Sequence, residues 1–425
     1  MARKSSWWLR GTSVGVALIG AMLAVVVGAG AAGSPPAPEG FEGWVGTWAT
    51  GNQPLGAQPI SEYFVGQSTP TPTSLSNVTL REIAHVSTGG RAVRIRLDNT
   101  FGGGPLVISD LHLGVQGSGA AIQPGTDRAL TFGGDSSVTI AQGARAFSDP
   151  VKLDVAAQSN LAVSLFLPAN NALVTGHHNA KQASFLSTAG DHAADLTATP
   201  YTESPTDWFW LSGVDVLSES TRGAVVAIGD SITNGAVSTF NGNNRWSDYL
   251  ARRLLQDEAR TSVLNEGIDG AQLLTFRSDC CPAQEAALAS LDREVIAQAG
   301  VTHVIVLLGT NDLGFGVPAP PIIAGLKQLA AQLHAKGIAV VGGTVTPFQG
   351  SVADPQNQND AARDAVNQFV RTSHVFDGFV DFDRAVRDPA NPERLLPAFD
   401  GGDHLHPNDA GDHAMGNAVR LELLR

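Results

Sequence analysis

Residues 223–233 read Gly-Ala-Val-Val-Ala-Ile-Gly-Asp-Ser-Ile-Thr, a continuous apolar run that ends in a polar turn. An unbroken apolar run of this length is typical of a parallel strand whose two faces are both covered by helices. In an open sheet of such strands, reactive groups lie outside the carboxyl ends of the strands. This stretch therefore indicates both the class of fold and the place where its polar groups gather.

The rest of the chain after residue 233 alternates between helical and strand-like patterns. Further strands are predicted at 262–268, 301–308, 338–345 and 379–382, and helices at about 246–256, 283–299, 322–336, 358–373 and 408–424. Strands that alternate with helices form a parallel sheet with crossover connections. The sequence predicts a three-layer α/β domain over residues 202–425.

The chain between Trp44 and about Tyr201 has a different pattern, with period two instead of helical spacing. Residues 91–97 alternate so that Val93, Ile95 and Leu97 share one face, and residues 161–167 repeat this period. Glycine pairs and triplets between such runs are typical of turns. The sequence predicts an all-β sandwich or jelly-roll domain over residues 44–201.

The N-terminus has the features of an export signal. Three basic residues, Arg3, Lys4 and Arg10, precede an uncharged apolar run from Val14 to Ala32. Small residues at 29–31 supply a cleavage pattern. The prediction is a signal peptide over 1–31, a linker over 32–43, and a secreted protein with no stable membrane insertion after cleavage. An uncleaved membrane anchor is the alternative, because a run of about 19 residues could span a bilayer.

Charge and cysteine content limit the classes of partner. The chain has 27 Lys and Arg against 40 Asp and Glu, a formal net charge of −13. Such an acidic surface repels phosphate backbones, so we expect no nucleic-acid partner. The two cysteines, Cys280 and Cys281, are neighbours in sequence and are expected to be incidental to the chemistry.

Polar segments follow three of the predicted strands, and a fourth precedes the last helix. They are Gly229-Asp230-Ser231-Ile232-Thr233, Asn265 to Gly270, Gly309-Thr310-Asn311-Asp312 and Asp403-His404-Leu405-His406-Pro407. If the fold is correct, all four meet at one edge of the sheet. Together they contain the parts of an acyl-transfer site.

Ser231 and His406 are the candidate nucleophile and base. A serine hydroxyl needs an adjacent base to take its proton, and a carboxylate three residues before the histidine, Asp403, can orient the imidazole. Pro407 disfavours helix at His406, which keeps the segment a loop. The alternative for Ser231 is a helix cap.

Three groups could donate hydrogen bonds to a developing oxyanion: the backbone N–H of Ser231, the backbone N–H of Gly270 and the side-chain amide of Asn311. A turn glycine and a turn or cap asparagine are the alternatives for the last two. A second interpretation of the C-terminal segment is a metal site, formed by Asp403, His404, His406, Asp409, Asp412 and His413. Because that spacing matches no familiar zinc pattern, we expect neither a metal nor a cofactor. His177 and His178 are interpreted as a surface loop pair.

Taken together, the four segments resemble the four blocks of the SGNH (GDSL-type) hydrolases in identity and order. The resemblance covers about residues 224–425. It implies a flavodoxin-like sheet, with Ser231 as nucleophile, Asp403 and His406 as the orienting acid and base, and Ser231, Gly270 and Asn311 as oxyanion donors. A β-rich half before the hydrolase half is similar to that of secreted actinobacterial members.

Two positions depart from the family pattern. Residue 234 is Asn where many relatives carry Asp. Asp269 precedes the oxyanion glycine, where a small residue is commoner. A carboxylate at 269 could disfavour anionic substrates or repel the developing negative charge.

These features predict a serine esterase that works through an acyl-enzyme, with O-acetyl groups on carbohydrates as one candidate substrate. A lipase or arylesterase acting on short-chain esters is an alternative. So is a carbohydrate-binding protein on a hydrolase fold, because a fold alone does not guarantee activity.

Overall fold

The computed structural model describes residues 43–55, 75–169, 174–257, 260–275 and 285–425. The predicted signal peptide, the predicted linker up to residue 42, and both cysteines lie outside these residues. All the described residues belong to one unit, Gly43–Arg425.

The first part of this unit is built from antiparallel strands. They are β1 (Trp44–Ala49), β2 (Gln53–Leu55), β3 (Val78–His85), β4 (Gly90–Asp98), β5 (Leu106–Ile108), β6 (Asp110–Val115), β7 (Arg128–Ala129), β8 (Val138–Ile140), β9 (Arg145–Phe147), β10 (Val151–Val155), β11 (Asn160–Leu167), β12 (Val174–His177), β13 (Phe185–Ala189), β14 (Tyr201–Glu203), β15 (Trp208–Phe209) and β16 (Leu211–Leu217). We call these strands the antiparallel part.

Two larger sheets and two small ones make up the antiparallel part. One sheet has the order β1-β16-β4-β10, with β9 also paired to β4, and the other has the order β14-β13-β3-β11-β6-β7. A third sheet runs β15-β12-β2, and β5 pairs with β8. The period-two pattern correctly predicted the buried face of β4, since Val93, Ile95 and Leu97 are all buried on one side of that strand.

The second part alternates strands and helices. Its elements are β17 (Ala224–Gly229), α1 (Ser231–Asn234), α2 (Trp246–Leu254), β18 (Ser262–Gly267), α3 (Ala287–Leu291), a π-helical turn (Asp292–Ile296), β19 (Val301–Leu307), α4 (Thr310–Gly314), α5 (Ala319–His334), β20 (Ala339–Gly343), α6 (Asp360–Thr372), β21 (Gly378–Val380), α7 (Phe382–Val386), β22 (Arg387–Asp388), β23 (Asn391–Leu395), α8 (Asp409–Ala418) and a 3₁₀ turn (Leu421–Leu424).

A five-stranded parallel sheet with the order β18-β17-β19-β20-β21 forms the middle layer of the second part. Alternate residues of β17 point to opposite faces, as the pleat of a strand requires. Val225 packs in a cluster with α2, α7 and α8, whereas Val226 packs in a cluster with α3, α5 and α6. The predicted three-layer, flavodoxin-like fold is therefore confirmed, as is an N-terminal part rich in antiparallel strands.

The predicted division at residues 201 and 202 stays a prediction, but the strand pairing crosses it. β16 pairs with β1 and β4, and β14 pairs with β13. The antiparallel pairing thus continues to Leu217, because β16 fills the space between two strands of the first sheet.

Two predicted helices differ in form. The helix expected over 408–424 is α8, which ends at Ala418, followed by the 3₁₀ turn (Leu421–Leu424). The helix expected over 283–299 is a short α3 followed by the π-helical turn. Residues 276–284 lie outside the described chain, so the beginning of this prediction is not covered.

The two parts are joined by a shared apolar core and by backbone contacts. Ile95 and Val214 of the antiparallel part belong to the same buried cluster as Val226 of the parallel sheet. The Gly46 N–H donates to the Ala299 carbonyl (2.9 Å), and its carbonyl accepts from the Ser262 hydroxyl (2.7 Å). A Cβ at Gly46 would lie 2.9 Å from the Leu264 side chain. A side chain at position 46 would therefore require the Leu264 side chain to move.

Within the described residues, none of the helices combines the length and the apolar character that crossing a membrane requires.

Candidate active site

Ser231 lies at the turn between the central strand and the helix that follows it. It is the first residue of α1, and the Asp230 carboxylate caps that helix by accepting from the Ile232 N–H (2.9 Å). A Cβ at Gly229 would lie only 2.1 Å from the Thr233 hydroxyl. The turn is thus tight enough to require glycine, and it presents the serine at the carboxyl end of β17.

His406 contacts Ser231 although the two residues are 175 positions apart in the sequence. The Ser231 hydroxyl lies 2.7 Å from His406 Nε2, and both side chains are buried. The loop that carries His406 runs directly into α8, whose first turn is capped by Asn408. The structure therefore brings the predicted nucleophile and the predicted base into hydrogen-bond contact.

Asp403 binds the other ring nitrogen of His406. His406 Nδ1 donates to one carboxylate oxygen (2.6 Å), and the other oxygen accepts from the backbone N–H groups of Leu405 (3.0 Å) and His406 (2.9 Å). This tight loop places His404 at a φ of 61°, in the left-handed region. The i, i+3 spacing of acid and base is possible because the loop folds back on itself.

The local contacts set the charges of this pair. Burial opposes the imidazolium, but the hydrogen bond and the charge of Asp403 outweigh it, so the pKa of His406 lies above its ordinary value. Burial would raise the pKa of Asp403, yet its hydrogen bonds and the charge of His406 lower it to about 2. Asp403 is thus ionised when His406 takes a proton.

Asp230 is a second carboxyl group near the imidazole. Complete burial raises the pKa of Asp230 to about 7, and the N–H of Ile232 and the charge of His406 only partly oppose that shift. Its ionised form in turn raises the pKa of His406. The charge beside the nucleophile therefore changes near neutral pH.

The predicted oxyanion donors lie on the loops after β17, β18 and β19. Ser231 is at the start of α1, where backbone N–H groups have no intrahelical acceptor. Gly270 has a φ of 77° in a turn closed by the Ala271 N–H on the Ile268 carbonyl (3.0 Å). Among the described residues, no group accepts from the Gly270 N–H. The Asn311 amide donates to the Ala271 carbonyl (3.0 Å), which leaves its second amide hydrogen for another acceptor.

Asp312 fixes the position of the loop that contains Gly270, a role that sequence reasoning missed. Its buried carboxylate accepts from the N–H groups of Leu273 (2.8 Å) and Leu274 (3.2 Å). The loop after β18 is thus tied to α4, the helix that carries Asn311. The signal in the sequence was an aspartate directly after a candidate asparagine, at the carboxyl end of a strand.

The interpretation of His177 and His178 as a surface pair is wrong, since both rings are buried. The nitrogens of His177 lie 2.7 Å from the Gly51 carbonyl oxygen and 2.9 Å from Asn234 Oδ1. His178 lies 3.0 Å from Asp207. His177 thus contacts the second part through Asn234, whereas His178 contacts Asp207, which precedes β15 of the antiparallel part.

Asn234 and Asp269, the two departures from the family pattern, contact each other. The Asn234 amide donates to one oxygen of Asp269 (2.8 Å), and the amide of Asn179 donates to the other (2.8 Å). Asp269 is 3% exposed. Two amides therefore bind its carboxylate, and the suggestion that its charge disfavours anionic substrates or repels the developing negative charge stays a prediction.

The residues considered for a metal site do not converge. His404 pairs with Asp400 (2.6 Å), and Asp409 accepts from the N–H and hydroxyl of Thr239 (2.8 and 2.6 Å). Over the described ranges, no three His, Cys, Asp or Glu side chains are grouped as ligands.

A serine, an imidazole and a carboxylate in this chain of contacts can carry out nucleophilic acyl transfer. The candidate donors Gly270 and Asn311 follow β18 and β19, the two strands that flank β17 in the parallel sheet.

Residues 227–414 match the model of the GDSL-like lipase/acylhydrolase family, which confirms the predicted resemblance for this stretch. No curated protein matches the chain. A GDSL-like lipase from Bacteroides thetaiotaomicron VPI-5482 is 16% identical over 48% of this chain and 88% of its own, with a TM-score of 0.37. A catalytic mutant of an acetylxylan esterase from Geobacillus stearothermophilus is 20% identical over 48% of this chain and 95% of its own, also with a TM-score of 0.37.

Proposed function

Residues 227–414 form a GDSL-like lipase/acylhydrolase domain, and from this premise we propose that the protein hydrolyses carboxylic esters through an acyl-enzyme on Ser231. The observation that carries the proposal is the continuous chain of contacts from Ser231 through His406 to Asp403, at 2.7 and 2.6 Å. Family membership supports an ester hydrolase, and this geometry supports serine as its nucleophile.

The first half of the reaction forms the acyl-enzyme. Ser231 Oγ attacks the ester carbonyl carbon while its proton passes to His406 Nε2. Asp403, with its pKa held at about 2, stays ionised and stabilises the imidazolium. The C–O bond to the alcohol then breaks, and the imidazolium returns the proton to the leaving alkoxide.

The second half repeats these steps with water. His406 removes a proton from a water molecule, and the resulting hydroxide attacks the acyl carbon. Collapse of the tetrahedral intermediate breaks the bond to Ser231, which regains a proton from the imidazolium. In both halves the N–H groups of Ser231 and Gly270 and the amide of Asn311 bind the oxyanion, the largest expected single contribution to the rate.

The proposed natural substrates are O-acetyl groups on extracellular carbohydrates. The support is indirect: the sequence has the pattern of an export signal over 1–31, and the acidic chain is a poor match for anionic lipid surfaces. Measuring acetate released from acetylated xylan, alongside hydrolysis of p-nitrophenyl esters from acetate to palmitate, tests this assignment. Preference for long acyl chains over acetate would contradict it.

Secretion is likewise a proposal, based on the basic start, the apolar run and the small residues at 29–31. We expect the exported protein to begin at Ala32. N-terminal sequencing of the protein from culture medium measures this. Recovery of the full chain in the membrane fraction would favour the anchor instead.

Replacement of the proposed nucleophile is the direct test. Ser231→Ala should lower kcat for p-nitrophenyl acetate by at least about 10³-fold with an unchanged melting temperature, because no other group supplies the attacking oxygen. A fluorophosphonate probe should label the native protein and not the variant.

Ser238→Ala is the matched control, since that buried hydroxyl donates only to the Gly235 carbonyl (2.8 Å). It should keep activity within about twofold. A loss smaller than roughly tenfold in Ser231→Ala would remove Ser231 from the proposed role.

A further inference from the structure

The loop after β12 brings the antiparallel part into contact with the loop of the proposed oxyanion hole. Asn179 is the contact residue, and it is held in three ways. Its N–H donates to Asp207 (3.0 Å), its carbonyl accepts from the Asn234 amide (3.2 Å), and its own amide donates to Asp269 (2.8 Å). Its φ of 57° is in the left-handed region, which asparagine tolerates better than most residues.

Asp269 passes this contact on to Gly270, the next residue in the chain. Both oxygens of the carboxylate are engaged, one by Asn234 and one by Asn179. Asn234 is itself located by His177, whose Nε2 lies 2.9 Å from the amide oxygen. The residue before the proposed oxyanion glycine is therefore fixed from two sides, by α1 and by the antiparallel part.

The contacts of Asp269 act on the peptide group that carries the Gly270 N–H. The peptide group between Asp269 and Gly270 contains that N–H. Gly270 itself has a φ of 77°, so the chain turns at this residue. The ends of this loop are held elsewhere, by the Ile268 N–H on the Gly229 carbonyl (3.1 Å) and by the Asn311 amide on the Ala271 carbonyl (3.0 Å), and the contacts of Asp269 lie between them. A shift of Asp269 would rotate that peptide group, and misplacement of a donor by about 1 Å is enough to cost a large part of the rate.

A carboxylate beside an oxyanion would normally oppose catalysis, and here its charge is compensated. Two amide donors bind it, and the half-buried Lys181 adds a positive charge nearby. Burial lowers the pKa of Lys181, and the charge of Asp269 opposes that shift. The compensation comes largely from the antiparallel part, since Asn179 and Lys181 lie on the same loop.

We propose that Asn179 is a positioning residue of the esterase site, acting through Asp269 on the Gly270 donor. The proposal rests on the function proposed above, and it assigns the antiparallel part a role in the rate of the reaction. In this role Asn179 acts on the proposed donor through Asp269 and not on the substrate directly.

Exchanging Asn and Asp between positions 179 and 269 changes the contact without changing side-chain size. It therefore distinguishes an effect on the position of the donor from a general loss of stability. Asn179→Asp sets two carboxylates against each other, which should displace Asp269. Adding Asp269→Asn restores a pair of one amide and one carboxylate, in which residue 269 now donates to residue 179. The side-chain oxygen of residue 269 can still accept from the Asn234 amide. Asn160→Asp is the matched control. Its amide bonds Gln116 (2.7 Å) within the antiparallel part, away from the second part.

We expect Asn179→Asp to lower kcat for p-nitrophenyl acetate by about 10- to 100-fold, because loss of a whole oxyanion donor costs about 10²–10³-fold. KM should stay within about twofold, since the ground-state ester makes little use of this donor. The double variant should recover kcat to within about fivefold of the native protein, and Asn160→Asp should change neither constant by more than about twofold.

The full-length proteins are compared by kcat, KM and melting temperature. A kcat of Asn179→Asp within twofold of native, or a double variant no faster than the single one, would overturn the proposal. If Asn179→Asp does not fold, Asn179→Gly carries the test, since it keeps the left-handed backbone and removes the amide; native kcat in that variant would equally overturn it. A native protein no faster than Ser231→Ala would instead refute the proposed function itself.

Discussion

Asp230 has two roles that pull in different directions. Its carboxylate caps α1 and so holds Ser231 in place, while its burial brings its own titration close to neutral pH. When it is ionised, it stabilises the imidazolium of His406 and makes the base harder to deprotonate. We therefore expect this helix cap beside the proposed nucleophile to influence the pH range of activity as well.

Asp230→Asn tests this effect. Asparagine caps helices as well as aspartate does, but it removes the negative charge that raises the pKa of His406. Since the neutral imidazole is the active base, the acid limb of kcat/KM should move to lower pH in the variant. In the native protein that limb should lie above the ordinary pKa of histidine, about 6.5.

The measurement is a pH profile of kcat/KM from pH 5 to 9. Asp292→Asn, an exposed aspartate on the π-helical turn, is the control and should leave the profile unchanged. An acid limb that stays in place or moves to higher pH in Asp230→Asn would contradict the electrostatic role.

Single residues of the site were predictable where their chemistry is local. Asp403 and His406 are three residues apart, so their contact follows from one turn, and Ser231 follows a strand whose pattern is plain. Asn179 could not be assigned in this way. Its partner Asp269 is 90 residues away, and only the packing of one part on the other brings the two together.

At the scale of elements, α8 depends on its first turn. The Asn408 side chain accepts from the N–H groups of Ala410 (3.0 Å) and Gly411 (3.1 Å), and its amide donates to the Ala398 and Asp400 carbonyls (both 3.1 Å). The cap thus ties the helix to the loop that carries His406.

Asn408→Ala should lower the free energy of unfolding by about 1–2 kcal/mol, since it removes a cap and leaves two carbonyls without their donor. Urea denaturation measures the change. Asn417→Ala, at an exposed site near the end of the same helix, should cost less than about 0.5 kcal/mol. Equal decreases in the free energy of unfolding of the two variants would show that the cap stabilises the protein no more than an exposed side chain does.

Long elements were predicted to within a few residues, and short ones were not. β17, β18 and β19 carry continuous apolar runs, and α2 and α6 have clear apolar stripes on one face. α7, with five residues, and the β22–β23 pair carry no such periodic signal. Their positions are decided by contacts such as the burial of Phe382 against Trp246, which depend on the finished sheet.

At the scale of the whole molecule, the antiparallel part and the α/β part share one buried apolar cluster. A piece covering residues 202–425 would contain β16 without β1 or β4, and it would expose the apolar residues that the two parts share. It would also lack Asn179. We expect this piece to show no cooperative thermal transition and no esterase activity.

Circular dichroism and hydrolysis of p-nitrophenyl acetate check this expectation, with residues 32–425 as the control. A second piece, 219–425, lacks β16 as well. It tests whether the unpaired β16 alone accounts for the instability of the first piece. A cooperative transition with near-native kcat in either piece would show that the α/β part is independent.

The order of the two parts could be predicted from the sequence. Over long windows, apolar residues that repeat with period two differ clearly from a succession of strand and helix patterns. Their shared core could not be predicted. β16 has the apolar character of either kind of strand, and its place between β1 and β4 is decided by partners more than 110 residues earlier in the chain.

The pairing of β1 with β16 also has a consequence for biosynthesis. Trp44 finds its partner Leu217 about 170 residues later, so at about 5–20 residues per second the ribosome needs roughly 10–35 s to supply it. Throughout that interval the nascent chain presents open strand edges that can join other molecules. Expression yield should therefore respond more to holdase chaperones and growth temperature than the finished protein's stability would suggest.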